Sequence, residues 1–161
     1  MFLVSDWPTR VDRIRAIAKR EPVAAAILAV VHFEWTLRRT IIGLGASPNS
    51  QIRKALATAH GTDALKDVWK AEIASRGVSG LPKIVRDWSA LLAAYKLRHL
   101  LVHGVESCSA AVALKRASAA VDAATDIEAF ARKHGLSLGR RLPVRRKRAN
   151  QPLQPTSVEM H

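Results

Sequence analysis

The sequence predicts an all-α domain, and three observations support this fold class. No stretch shows the sustained alternation of polar and apolar residues that a half-buried strand requires. Apolar residues instead recur at helical spacing, in segments that Pro and Gly separate. A length of 161 residues with a mean hydropathy near zero suits one domain with a sizeable core. We therefore expect a bundle of about five helices over residues 1–135, followed by a basic, flexible tail over 136–161.

Proline and glycine place the ends of the expected helices. Pro22 suits the first turn of a helix, and Gly43 with Gly45 ends one. Pro82 opens another long periodic stretch, and His134-Gly135 stops the last helix. The expected segments are a helix over about 10–20, a long helix over 22–42, a polar helix over 51–59 that Gly61-Thr62 separates from an amphipathic segment over 63–75, a central helix over 81–103 and a last helix from Ser107 or Ser109 to about Lys133.

The central helix carries an apolar stripe around Trp88. At about 100° per residue, His99 falls near the centre of the stripe, His103 at one edge and Arg98 just beyond the opposite edge. Further apolar residues occupy the far side of the last turns. We therefore expect these turns to be buried on two sides, by the bundle and by a second subunit. The stripe contains Leu81, Ile84, Val85, Leu91, Leu92, Tyr95 and Val102, and the far side contains Leu97, Leu100 and Leu101.

The chain is strongly basic, with a formal net charge of +13. Such a field attracts polyanions, because neutralised phosphates release condensed counterions, so nucleic acid is the expected partner. The tail has no acidic residue between Glu128 and Glu159, and its Arg145, Arg146, Lys147 and Arg148 form one basic cluster. This cluster could hold RNA, contact an acidic antitoxin or keep the tail solvated; RNA contact is favoured.

Other features bear on location and on metal sites. The longest apolar run, Val23–Val31, is well short of the roughly 20 residues that a bilayer requires, and no signal peptide is recognised, so we expect a cytoplasmic protein without membrane contact. Cys108 is the sole cysteine, which excludes an internal disulfide and a Cys-rich zinc site. His99 and His103 have the spacing of a two-histidine metal site on a helix, but only Glu106 offers a further ligand. We therefore expect no metal and no cofactor.

Arg98, His99 and His103 are suited to ribonuclease chemistry. Cleavage without a metal needs a base for the ribose 2′-hydroxyl, an acid for the leaving oxygen and a cation near the phosphorane. Histidine supplies the first two groups, and arginine supplies the third. On an unbroken helix, Arg98 and His103 point about 140° apart, so they converge only if Gly104 lets the end unwind or if a symmetric copy contributes.

The sequence Tyr95-Lys96-Leu97-Arg98-His99-Leu100-Leu101-Val102-His103-Gly104 resembles the R-x4-6-H signature of HEPN-domain ribonucleases. The resemblance implies an all-α bundle that dimerises, with a composite, metal-independent endoribonuclease site at the dimer axis, in a toxin or phage-defence effector. It implies that His103 is the acid/base, Arg98 the phosphate clamp and His99 a support. Glu34 and Arg38 resemble, loosely, a polar pair opposite the motif, with Glu34 supporting and Arg38 contacting RNA.

The resemblance has two departures, and other functions stay open. Val105 stands where members silenced by a nucleotidyltransferase carry tyrosine, so control by a protein antitoxin fits better than tyrosine modification. His99 replaces the more usual asparagine. A non-catalytic RNA-binding or protein-interaction module is the main alternative. A DNA-binding adaptor or an ordinary structural helix end, with the arginine satisfying carbonyls, would also carry these residues.

Overall fold

The computed structural model describes residues 7–105 and 107–156, and the side chains among them from residue 10 onward. Within these ranges the chain is helical and contains no strand, which confirms the predicted all-α class. The described residues form seven α-helices, more than the five expected. They are α1 (Trp7–Ala18), α2 (Pro22–Leu44), α3 (Asn49–Thr58), α4 (Gly61–Glu72), α5 (Leu81–Ile84), α6 (Trp88–Val102) and α7 (Ala110–Lys133), with one 3-10 turn at Ala74–Arg76. No helix in the described ranges combines the length and apolarity that crossing a membrane would require.

The core is built on α2 and α7, which pack along their length. Alanines at helical spacing line the buried side of α7, and their small side chains allow α2 to approach closely. The C-terminal ends of the two helices lie together, since a Cβ on Gly43 would come within 2.5 Å of the Leu136 side chain. The two helices therefore run in the same direction. The buried residues of this face of α7 include Ala113, Ala117, Ala120, Ala124, Ile127 and Ala131.

The expected continuous central helix is wrong, because the chain breaks between α5 and α6. Val85 is extended, and Asp87 caps α6 by accepting a hydrogen bond from the Ala90 N–H at 2.9 Å. Arg86 is held by Asp126 of α7, with 2.7 Å from its Nε to the carboxylate. The capping carboxylate and this ion pair together favour the break over a continued helix.

The face of α6 that meets the core is not the one that the helical wheel predicted. Leu97 was expected on the far side but is buried, whereas Leu92 and Val102 were expected in the core and are 40% and 51% exposed. The helical wheel centred the core stripe on Trp88, whereas the buried residues Leu91, Ala94 and Leu97 lie along a different side of α6. Tertiary packing decided which side meets the bundle. α6 leads into α7 through a short loop and runs opposite to it, and hence opposite to α2. Its ring contact to α2 joins Phe33 and Tyr95, whose centroids lie 6.1 Å apart.

Residues 136–156 differ from the flexible tail expected from composition. They follow the surface of the bundle as an extended segment, which we call the C-terminal arm. Backbone hydrogen bonds hold it at several points: Asn49 N–H to the Arg145 carbonyl, Ala149 N–H to Ala46, Leu153 N–H to Arg76 and Thr156 N–H to Lys133. A polar, basic composition predicts a flexible segment when the segment has no surface to pack against. In this structure the ends of α2 and α7 provide the arm with apolar contacts and with hydrogen-bond partners.

Candidate functional site

The C-terminal end of α6 is closed by its own backbone. The Val105 N–H donates to the Leu100 carbonyl at 2.9 Å, and the Gly104 N–H donates to Leu101 at 3.3 Å. Gly104 adopts a φ of 65°, the left-handed conformation that this Schellman arrangement requires. The carbonyls of His99, Leu100 and Leu101 are thus satisfied by the backbone without side chains. This argues against the structural alternative, in which an arginine sits at the helix end to cap it.

His99 and His103 form a pair on the outer face of α6. Their ring centroids lie 4.4 Å apart, and both side chains are exposed. The prediction that both imidazoles are buried is therefore wrong for the single chain, because they lie on the face turned away from α2 and α7. The outward position leaves both rings accessible to a ligand or to a second copy of the chain.

Arg98 points away from the two histidines, toward Tyr95 and α2. Its side chain is half-buried, and its Nε is buried without a hydrogen-bond partner among the described residues. Burial raises the pKa of Tyr95 well above its ordinary value, and the neighbouring Glu34 carboxylate raises it further, while Arg38 and Arg98 oppose this. The Tyr95 hydroxyl meets no partner at good hydrogen-bonding geometry within the described chain. Glu34, Arg38, Tyr95 and Arg98 therefore form one polar cluster between α2 and α6.

Two of the predicted RNA-binding residues use their guanidinium groups inside the protein. Arg38 donates to the carbonyls of Leu56 and Ala59 at the end of α3, at 2.6 and 2.7 Å. Arg145 donates to Gly43 at 3.0 Å, and burial lowers its pKa, with Glu72 opposing. These contacts favour a structural role for both groups.

The rest of the basic cluster projects from the arm. Arg146 and Lys147 are exposed, and Arg148 is exposed but donates to the Ser47 hydroxyl at 3.1 Å. Of the four residues in the cluster, Arg146 and Lys147 are thus the ones best placed to meet a ligand.

A metal site at the histidine pair finds no support in the described ranges. Between residues 7 and 105 and between 107 and 156, no group of three His, Cys, Asp or Glu side chains could hold a metal ion. Glu106, the further ligand considered from the sequence, lies outside the described residues. Imidazole side chains such as those of His99 and His103 can transfer protons and form hydrogen bonds.

Three features of the site region were missed by sequence reasoning. Tyr95 was expected only to pack, although its place one turn before Arg98 on the same helix face could have linked it to the motif. Arg39 and Arg76 anchor the arm by donating to Leu138 and to Gln151, respectively, at 3.0 Å each. Such contacts join residues far apart in sequence, and no local pattern announces them.

Comparisons of the chain with protein-family models, with curated proteins and with solved structures give no match.

Proposed function

We propose that the chain is a homodimeric, metal-independent endoribonuclease of the HEPN type, acting in the cytoplasm as a toxin or defence effector on single-stranded or tRNA-like RNA. The observation that carries this proposal is the backbone closure of α6, which leaves Arg98, His99 and His103 without a capping role. Polar side chains that the fold does not use are the ones available for binding and chemistry.

The proposed reaction needs no group beyond these side chains. His103 takes the proton of the ribose 2′-hydroxyl, and the oxygen attacks the adjacent phosphorus. The bond to the 5′-oxygen breaks, and that oxygen receives a proton from a second imidazole. Arg98 compensates the charge on the phosphorane oxygens. The products are a 2′,3′-cyclic phosphate and a 5′-hydroxyl end.

Two structural features support a dimer in this proposal. Arg98 and His103 point in different directions on one chain, so a second copy would bring an arginine to the histidines of the first. Exposed apolar residues surround the pair: Val102 is 51% exposed and Val105 is 64% exposed. Apolar side chains beside unused polar groups are typical of a subunit interface that contains a site.

Cleavage of total RNA in excess EDTA tests the proposal. We expect wild type to cleave and to leave cyclic phosphate ends, while His103→Ala and Arg98→Ala lose activity by about 10²- to 10⁴-fold. His134→Ala is the matched control, since the His134 ring lies outside the motif and contacts Phe130 and the Gln154 carbonyl.

Intact RNA with folded, dimeric wild type would contradict the ribonuclease proposal. If that protein still bound RNA, and His103→Ala bound it equally well, the non-catalytic RNA-binding module would replace the enzyme. Tighter binding of duplex DNA than of single-stranded RNA at matched salt would favour the DNA-binding adaptor instead.

A further inference from the structure

The fold brings two acid-free stretches of the sequence together. Residues 35–62 and 129–158 contain no Asp or Glu, but both contain Lys and Arg. The first covers the second half of α2 and all of α3, and the second covers the end of α7 and the arm. Asn49 joins them: its side chain accepts from the Arg145 N–H at 2.9 Å and donates to the Pro143 carbonyl at 2.9 Å. Positive charge from distant parts of the sequence thus accumulates on one surface.

The arginines of this region are divided between inward and outward positions. Arg39 donates inward to the carbonyls of Leu138 and Arg140, at 3.0 and 2.7 Å. Besides Arg148, six basic side chains of α3 and the arm are exposed. We call these six the basic track: Arg53, Lys54, Arg140, Arg141, Arg146 and Lys147.

The basic track is not neutralised by carboxylates in the described chain. The ion pairs recorded there lie elsewhere and involve Asp12, Asp63, Asp126 and Glu128. Glu72 is the carboxylate that reaches the arm region, and it accepts from the Ser47 N–H at 2.8 Å. Burial and the nearby charge of Arg53 lower the pKa of Arg39. Like charges held close together and without counterions favour the binding of an anion.

The track leads from the arm toward the candidate catalytic residues. α3 begins at Asn49 beside the arm, and its ten residues cover about 15 Å. At its other end, Arg38 bonds the Leu56 and Ala59 carbonyls and also belongs to the polar cluster with Tyr95 and Arg98. α3 therefore spans the distance between the arm and that cluster.

We propose that the basic track binds the phosphodiester backbone of single-stranded RNA and guides the strand along α3 to Arg98. This inference deepens the proposed function and rests on it for the destination of the strand. Exposed lysines and arginines can contact the phosphates of an RNA strand. Such contacts carry no sequence preference, because they involve no hydrogen bonds to the bases. The basic track then determines the affinity for RNA, and the residues at the end of α6 carry out the cleavage.

Binding of a single-stranded RNA oligonucleotide by His103→Ala protein tests the track without cleavage. Two double variants in that background, Arg53→Gln/Lys54→Gln and Arg146→Gln/Lys147→Gln, should each weaken binding by about 5- to 30-fold at low salt. The slope of log K against log salt should fall by about 1.4 for two lost phosphate contacts. With His103 restored, KM should rise while kcat stays unchanged.

Lys19→Gln/Arg20→Gln is the matched control, because it removes the same charge at the opposite end of α2, about 34 Å from the arm. Equal weakening by all three double variants would overturn the track and leave only an effect of net charge. If polyglutamate displaces the bound oligonucleotide at a lower concentration of charges than polyuridylate does, the basic track is a binding surface for an acidic protein and not for RNA. If wild type binds RNA through the basic track but cleaves no RNA, the track proposal stands and the ribonuclease proposal fails.

Discussion

α2 and α6 end in different ways, and the difference separates structural arginines from candidate functional ones. At the end of α2, Gly45 is extended, so the backbone leaves carbonyls unmet. Arg145 and Arg76 supply donors instead, to Gly43 at 3.0 Å and to Leu44 at 2.6 Å. At the end of α6, Gly104 turns left-handed and the backbone closes on itself. An arginine near a helix end is thus needed as a donor to the last carbonyls only where backbone N–H groups do not already bond them.

The basic cluster at residues 145–148 is also a poor guide to the candidate catalytic site. Arg145 belongs to that cluster by sequence, but in the structure it fastens the arm. Arg98 lies in an apolar stretch without other arginines and makes no hydrogen bond through its buried Nε within the described chain. Arg145 and Arg98 are therefore distinguished by the hydrogen bonds that their side chains make, and not by the density of charge around them in the sequence.

The largest effect is expected from charging the apolar surface at the α6 end. If a second copy covers Val102, then Val102→Glu buries a charge and should raise the dimer dissociation constant by about 100-fold or more. Val144→Glu is the control, because Val144 is 67% exposed on the arm. Sedimentation over a range of concentrations measures both. A wild type that stays monomeric at high concentration would contradict the dimer.

The histidines extend the comparison between inward and outward side chains. Burial, and then the charge of Arg10, lowers the pKa of His32 to about 4. The unfolded chain gains this proton below about pH 6.5, whereas the folded chain resists it, so stability falls as the pH drops from 6.5 to 4. Between pH 7.5 and 4.5 we expect a loss of about 2–3 kcal/mol from this residue alone.

Urea unfolding of wild type, His32→Gln and the exposed control His60→Gln at both pH values measures this loss. The control should keep the wild-type pH dependence, while His32→Gln should flatten it. An unchanged pH dependence in His32→Gln would place the acid sensitivity on other groups.

A smaller effect separates Arg145 from Arg98 directly. Arg145→Gln removes the donor to Gly43 and Ser47 and should lower the free energy of unfolding by about 1–3 kcal/mol. Arg98→Gln should change it by less than about 1 kcal/mol, and Arg146→Gln by less than about 0.5 kcal/mol. Chemical unfolding at one protein concentration gives all three values. A loss in Arg98→Gln equal to that in Arg145→Gln would make Arg98 structural and weaken the enzyme proposal.

Local patterns were sufficient for much of the fold. Pro22 and the glycines after Ile42 located α2 closely, and His134-Gly135 located the end of α7, because these residues act on the backbone within one turn. The break before α6 could have been foreseen from Asp87, which has the side chain of a helix cap. The exposure of His99 and His103 could not, because it depends on which face of α6 meets α2.

The sequence by itself determined the helical class, the basic charge and the spacing of Arg98, His99 and His103, since these follow from composition and from the helical repeat. Only the tertiary structure decided which arginines are used as donors to carbonyls, that Glu34 and Arg98 both lie near Tyr95, and where the arm lies. Those outcomes depend on hydrogen bonds and packing between residues as much as 102 positions apart, as in the bond from Arg145 to Gly43. A one-dimensional pattern carries no information on such pairs, because their proximity is a consequence of the folded core.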